Sequence, residues 1–192
     1  MVNFKILDNL PKFDLIHDLD MMLKIQMISW KNNQICINTL SSDPDNIHLG
    51  VNSLFYDWDK SETIIDEWGI SKVVTPERPV RLMEKDFNTL ATPFKGTQFE
   101  EVYTALNTNY DLGRVRIMKS DPGMCLSWHM DDTCRIHYPI KTQPGCLMVI
   151  DNEVKHLDLN TWWFTNTLEY HTAFNASTES RIHLVAEIVG KK

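Results

Sequence analysis

The period of the apolar positions changes near residue 112. Before it, helical and alternating patterns are mixed; after it, apolar runs are short, alternate with polar residues and end at turn residues. Residues 2–7 read as a short first strand. Pro11 opens a stretch in which Phe13, Ile16, Leu19, Leu23, Ile25 and Ile28 approximate one helical face. Residues 34–40 alternate as a strand, and 41–46 form a turn cluster of Ser, Asp, Pro and Asn. Ser61 and Glu62, followed by Ile64, Ile65 and Trp68, predict a short capped helix closed by Gly69. Pro76 and Pro79 mark a loop. Over 96–109, Phe99, Val102, Tyr103 and Leu106 share a helical face, and Glu100 and Glu101 fall in the early turns, where the helix dipole favours acids.

The second half predicts strands at 114–118, 126–129, 134–140, 146–150, 154–159, 162–165, 172–175 and 181–189. Asp121-Pro122-Gly123, Gln143-Pro144-Gly145 and Asp151-Asn152 supply turns between them. This density of short strands predicts a mainly β fold of the α+β kind, a sandwich or jelly roll with N-terminal helices in support. At 192 residues, with no repeat and no Gly/Ser linker, the chain is expected to form one domain. Residues 1–112 would be its mixed support and 113–190 its core.

Composition narrows the partners. A hydrophobic content of 43% excludes disorder. With 19 Lys plus Arg against 26 Asp plus Glu, net charge −7, a basic face for nucleic acid is not expected. No apolar run approaches the roughly 20 residues that span a bilayer, and the first residues lack the pattern of a signal peptide. The four cysteines form no CxxC pair. These features predict a soluble protein of the cytoplasm; nothing in the pattern assigns an oligomeric state.

The chemistry centres on Trp128-His129-Met130-Asp131. Two residues apart on a strand, His129 and Asp131 point to one face and can approach one metal. His171, opening a later strand, is the natural third ligand. Two His and one carboxylate on one face of a ferrous ion leave positions open for other ligands. Alone, the HxD tripeptide is weak, because an Asp beside a surface His is common. Ten residues after His171, Arg181 opens the last strand, and its planar fork suits a carboxylate. Trp163 and Asn175 are candidates for the pocket wall, although a core Trp and a turn-forming Asn are the commoner fates. His183, on the same face as Arg181, reads as a satisfied core histidine.

The run His129-Met-Asp131-Asp-Thr-Cys-Arg135-Ile-His137-Tyr-Pro-Ile, with Trp163-Phe-Thr-Asn166-Thr, His171-Thr-Ala-Phe-Asn175 and Arg181-Ile-His-Leu-Val, resembles the aspartyl/asparaginyl β-hydroxylase family of Fe(II)/2-oxoglutarate-dependent oxygenases. It is similar in pattern to the free-proline hydroxylases. The resemblance covers about residues 113–190. It implies a double-stranded β-helix (cupin-like jelly roll) and a dioxygenase that uses Fe(II), 2-oxoglutarate and O2. Such an enzyme hydroxylates an amino acid, free or in a peptide or protein, releasing succinate and CO2. His129, Asp131 and His171 match the iron ligands, and Arg181 matches the arginine for the distal carboxylate of 2-oxoglutarate. Arg135 and His137 match a pair associated with the same cosubstrate. Some aspartyl hydroxylases have Gly where this chain has Asp131. Arg116 or Arg78 could supply a further cation for an acidic substrate. The alternative from another class is a cupin-like metal-binding scaffold without catalysis, in which Arg135, His137 and Arg181 share no role.

Overall fold

A computed structural model of the chain describes residues 2–51, 54, 62–74 and 81–191. In chain order the elements are β1 (Phe4–Ile6), α1 (Ile16–Lys24), β2 (Gln34–Cys36), β3 (Asn38–Thr39), β4 (Glu62–Ile65), β5 (Ser71–Val74), β6 (Thr89–Leu90) and α2 (Gln98–Asn109). Then follow β7 (Tyr110–Ser120), β8 (Cys134–Lys141), β9 (Cys146–Ile150), β10 (Glu153–Lys155), β11 (Trp163–Thr165), β12 (His171–Asn175) and β13 (Arg181–Lys191).

The large sheet has the order β1-β11-β8-β13-β7-β2 and the small one β10-β9-β12, all antiparallel. Residues 124–130 run beside β12: Leu126 N–H donates to Ala173 O at 3.0 Å, and His129 and His171 exchange N–H···O bonds of 3.1 and 2.8 Å. The strand expected at 126–129 is therefore a set of separated bridges rather than a continuous ladder. Counting it, β7, 124–130, β8, β9, β10, β11, β12 and β13 pass between two facing four-stranded layers in the order of a jelly roll.

Alternation sorts the two faces of the large sheet. Ile136, Tyr138 and Ile140 on β8, and Ile182, Leu184 and Ala186 on β13, join Leu19 and Met22 of α1 and Phe99, Val102 and Leu106 of α2 in the main core. The intervening positions, Arg135, His137, Arg181, His183 and Glu187, face the small sheet. There Trp163, opposite His137, packs with Met148, Ile150 and Ala173. The helices are short. Thr97 caps α2 by accepting the Phe99 N–H at 3.2 Å, and Gln26 breaks the chain beyond α1 with φ +59°.

The helix expected from 61 onward is instead the hairpin β4–β5. The Asp66 carboxylate accepts the N–H groups of Trp68 and Ile70, and Gly69 takes φ +77°. Ile64, Ile65 and Trp68 are exposed, so their spacing marks no buried helical face. Ser61, and the loop with Pro76, Arg78 and Pro79, lie outside the described residues. Among the described residues no helix is long and apolar enough to cross a membrane.

Candidate metal centre

The His129–His171 bridge sets the two imidazoles side by side, ring centroids 4.3 Å apart. Asp131 follows two residues on, its backbone tied to Thr167 O at 2.9 Å. Its Oδ2 lies 3.2 Å from His171 Nε2 and its Oδ1 3.8 Å from His129 Nε2. One donor atom from each residue falls within 4.8 Å of the others.

The backbone decides which nitrogen each ring offers. His129 Nδ1 is 2.6 Å from Ser127 O, and His171 Nδ1 is 3.0 Å from Glu169 O. A carbonyl only accepts, so each Nδ1 carries the proton and each Nε2 turns a bare lone pair toward Asp131. Asp131 Oδ2 is shielded from solvent and has no hydrogen-bond partner. A lone pair on nitrogen thus faces a lone pair on oxygen with no proton between them, which a cation would relieve. With metal–ligand bonds of about 2.1 Å, neighbouring ligand atoms sit about 3 Å apart, close to the His171–Asp131 spacing. The donor set fits a divalent ion such as ferrous iron.

Arg135, from β8, donates to the other Asp131 oxygen, Nη2 to Oδ1 at 2.8 Å. Burial raises the Asp131 carboxyl, but the Arg135 charge beside it acts against burial, and the group lies below the usual carboxylate range. Arg181, at the start of β13, differs. Its guanidinium makes no hydrogen bond or ion pair among the described residues, and its Nε is shielded from solvent without a partner. Burial lowers its pKa, as expected for a cation lacking a counter-ion.

A family model described as aspartyl/asparaginyl β-hydroxylase matches residues 86–190, more than half of the chain. The chain belongs to the aspartyl/asparaginyl β-hydroxylase family. No curated protein matches it. Among solved structures, a cupin domain of Bordetella pertussis Tohama I is similar at 19% identity and TM-score 0.35, over 39% of this chain and 79% of that one. A Cupin 2 conserved barrel protein of Salinispora arenicola CNS-205 is similar at 12% and 0.34, over 39% and 61%. An oxidoreductase of the 2OG-Fe(II) oxygenase family from Burkholderia pseudomallei is similar at 15% and 0.37, over 47% of this chain and 48% of its own length.

In this β-hydroxylase-family chain the remaining residues divide clearly. His137 is buried on the inner face, with Arg135, Arg181, His171 and Asp131 as its charged or titratable neighbours. Trp163 stands beside it inside the jelly roll, whereas Trp162 packs on the helix side and donates Nε1–H to Pro11 O at 2.7 Å. Asn175 is buried, and its amide donates to Ser120 O and Glu179 O, clamping the turn before β13. His183 is buried, but its Nε2 has no partner, so it is not the satisfied core histidine that the sequence suggested.

A second group went unread in the sequence. Glu187 accepts from Arg116 Nη2 at 2.6 Å and from Arg114 Nη2 at 3.1 Å, and Arg114 in turn bonds Glu84 at 2.6 Å. Arg135 Nη2 is 3.7 Å from the same Glu187 oxygen, so the network reaches Asp131. Arg116 is thus occupied in a buried ion pair, which removes the reason for assigning it to substrate. The available signal was charge at alternate strand positions: Arg114-Val-Arg116 on β7 and Glu187 on β13 occur where an ordinary sandwich would place apolar residues.

Burial, with the Arg181 charge next to both, pushes His137 and His183 well below the usual value of 6.5. The unfolded chain therefore binds more protons than the native one once pH drops below 6.5. This contribution to stability is complete above that pH and is lost on acidification, by up to about 1.4 kcal/mol per pH unit for each histidine. Thermal unfolding of the metal-free chain is expected to move to lower temperature between pH 7.5 and 5.5. A His183→Phe chain should show a shallower dependence. An unchanged slope would mean that His183 is not held neutral.

Proposed function

We propose that this chain is an Fe(II)/2-oxoglutarate-dependent dioxygenase that hydroxylates an amino-acid side chain, free or within a peptide or protein. One observation carries the reading: the bare Nε2 atoms of His129 and His171 converge on the Asp131 carboxylate, whose Oδ2 is unpartnered, and Arg181, without a counter-ion among the described residues, lies farther along the same inner face. His129, Asp131 and His171 would hold the iron, which when bound with O2 couples decarboxylation of 2-oxoglutarate to succinate and CO2 with hydroxylation of a C–H bond. Arg181 would take the distal carboxylate of 2-oxoglutarate. Arg135 and His137, between Arg181 and the metal ligands, would serve its keto-acid end. Trp163 walls this space and keeps water from it. The serine and glutamate carbonyls behind the two imidazoles fix the ring orientations before any metal arrives.

The test is an anaerobic titration of the purified chain with Fe(II) and 2-oxoglutarate. A weak charge-transfer band near about 500 nm is expected when the keto acid chelates ferrous iron at open positions. It should vanish in His129→Ala. A folded wild-type chain that binds iron and gives no band would favour the non-catalytic scaffold instead. Succinate release with a panel of free amino acids and short peptides then identifies the substrate class.

A further inference from the structure

Among the polar atoms on the inner face of the large sheet that are shielded from solvent and unpartnered are His137 Nε2, His183 Nε2 and Arg181 Nε. The two imidazoles stand nearly perpendicular, at 84°, with Nδ1 facing Nδ1 at 3.5 Å. A hydrogen bond between two Nδ1 atoms requires one to carry a proton and the other to be bare. Burial keeps both rings neutral, so neither has protons on both nitrogens. The rings must therefore be opposite tautomers. The ring that donates through Nδ1 has a bare Nε2; the ring that accepts presents Nε2–H.

The surroundings decide which is which. His137 lies among Arg135, Arg181, His171 and Asp131, on the path from the metal ligands to the unpaired arginine. His183 has Arg181, His137 and His156 as its neighbours, one layer farther from the metal ligands. With a dicarboxylate seated between Arg135 and Arg181, an N–H on His137 is attracted to it and a lone pair there is repelled. On His183 the neighbouring Arg181 charge disfavours added positive charge, so a lone pair at Nε2 is favoured over an N–H there.

We propose that His183 is a positioning residue that makes His137 a hydrogen-bond donor: its Nδ1–H holds His137 Nδ1 as the acceptor, so that His137 turns Nε2–H toward the anionic keto acid. This rests on the reading of the residues from His129 to Arg181 as a 2-oxoglutarate site. His183 touches neither the metal ligands nor the reacting carbon; it acts through the tautomer of its neighbour.

The test uses the full chain loaded with Zn(II) as a diamagnetic substitute for iron, with 2-oxoglutarate binding read by calorimetry. His183→Phe removes the donor and is expected to weaken 2-oxoglutarate binding about tenfold, the value of one hydrogen bond to a charged ligand. His183→Asn places an amide N–H where Nδ1–H stood and should bind within about threefold of wild type. Zn(II) affinity should be the same in all three chains. Nitrogen-15 spectra of the wild-type ternary complex should show His137 protonated on Nε2 and His183 on Nδ1. The inference is overturned if His183→Phe binds like wild type, if His183→Asn binds as weakly as His183→Phe, or if His137 carries its proton on Nδ1. Should His183→Phe fail to fold, the wild-type spectrum decides alone. A wild-type chain that binds no 2-oxoglutarate overturns the reading beneath, a result seen before any variant is made.

Discussion

Arg181→Ala is expected to weaken 2-oxoglutarate binding by about a hundredfold or more while leaving the metal-free fold at least as stable as wild type. The two effects have one cause. Truncating one member of a buried, hydrogen-bonded charge pair costs about 2–5 kcal/mol in affinity, and each 1.4 kcal/mol is about a factor of ten. Without the ligand, however, Arg181 has no counter-ion among the described residues, and its Nε is stranded away from water. A buried cation in that state destabilises the fold. Removing it should leave the melting temperature of the metal-free chain unchanged or higher, against the usual direction for a buried substitution. Arg181→Lys keeps the charge but not the fork, so it should recover only part of the affinity. Calorimetry with 2-oxoglutarate and a thermal scan read both effects. Normal 2-oxoglutarate binding by Arg181→Ala would remove this residue from the cosubstrate site. A large loss of stability would show that an unseen partner compensates its charge.

How much of this was legible in the sequence follows from the period of each pattern. On β8 and β13 the alternation Arg135-Ile-His137-Tyr and Arg181-Ile-His183-Leu separates an apolar face from a polar one within a few residues. Both the sheet and its polar inner face could therefore be read. The pairing of His129 with His171 depended on residues 42 positions apart, and the family resemblance supplied what periodicity could not. The helix expected near 61 failed because Ile64, Ile65 and Trp68 are exposed in a hairpin, and apolar spacing signals a face only where that face is buried. The network of Glu84, Arg114, Arg116 and Glu187 was harder. Its paired acids and arginines are 30 to 73 positions apart, and each taken singly looks like a surface charge. Only the tertiary fold shows that one carboxylate serves several guanidinium groups.

That network is where the largest stability effect is expected. Glu187→Ala should destabilise the chain by about 3–5 kcal/mol, the cost of breaking a buried ion pair by deleting one partner. For a chain of this length that lowers the melting temperature by roughly 10 °C. The asymmetry among the arginines explains the size. Without Glu187, Arg114 keeps Glu84 and the Gly50 carbonyl, and Arg135 keeps Asp131. Among the described residues Arg116 keeps the Gln34 side-chain oxygen at 3.0 Å. Burial, and after it the Arg114 charge, already push Arg116 down to about 10. Deleting its nearest anion leaves a nearly inaccessible guanidinium without a counter-charge. Combining Glu187→Ala with Arg116→Met should therefore cost less than the sum of the two single changes, and a double-mutant cycle in urea measures the difference. Additivity would mean that the 2.6 Å contact between them contributes nothing. Iron affinity should fall too, by about tenfold, because Arg135 loses one of its two acidic neighbours while keeping its bond to Asp131. The same charges that make this interior costly to bury thus reach, through Arg135, the carboxylate proposed to hold the metal.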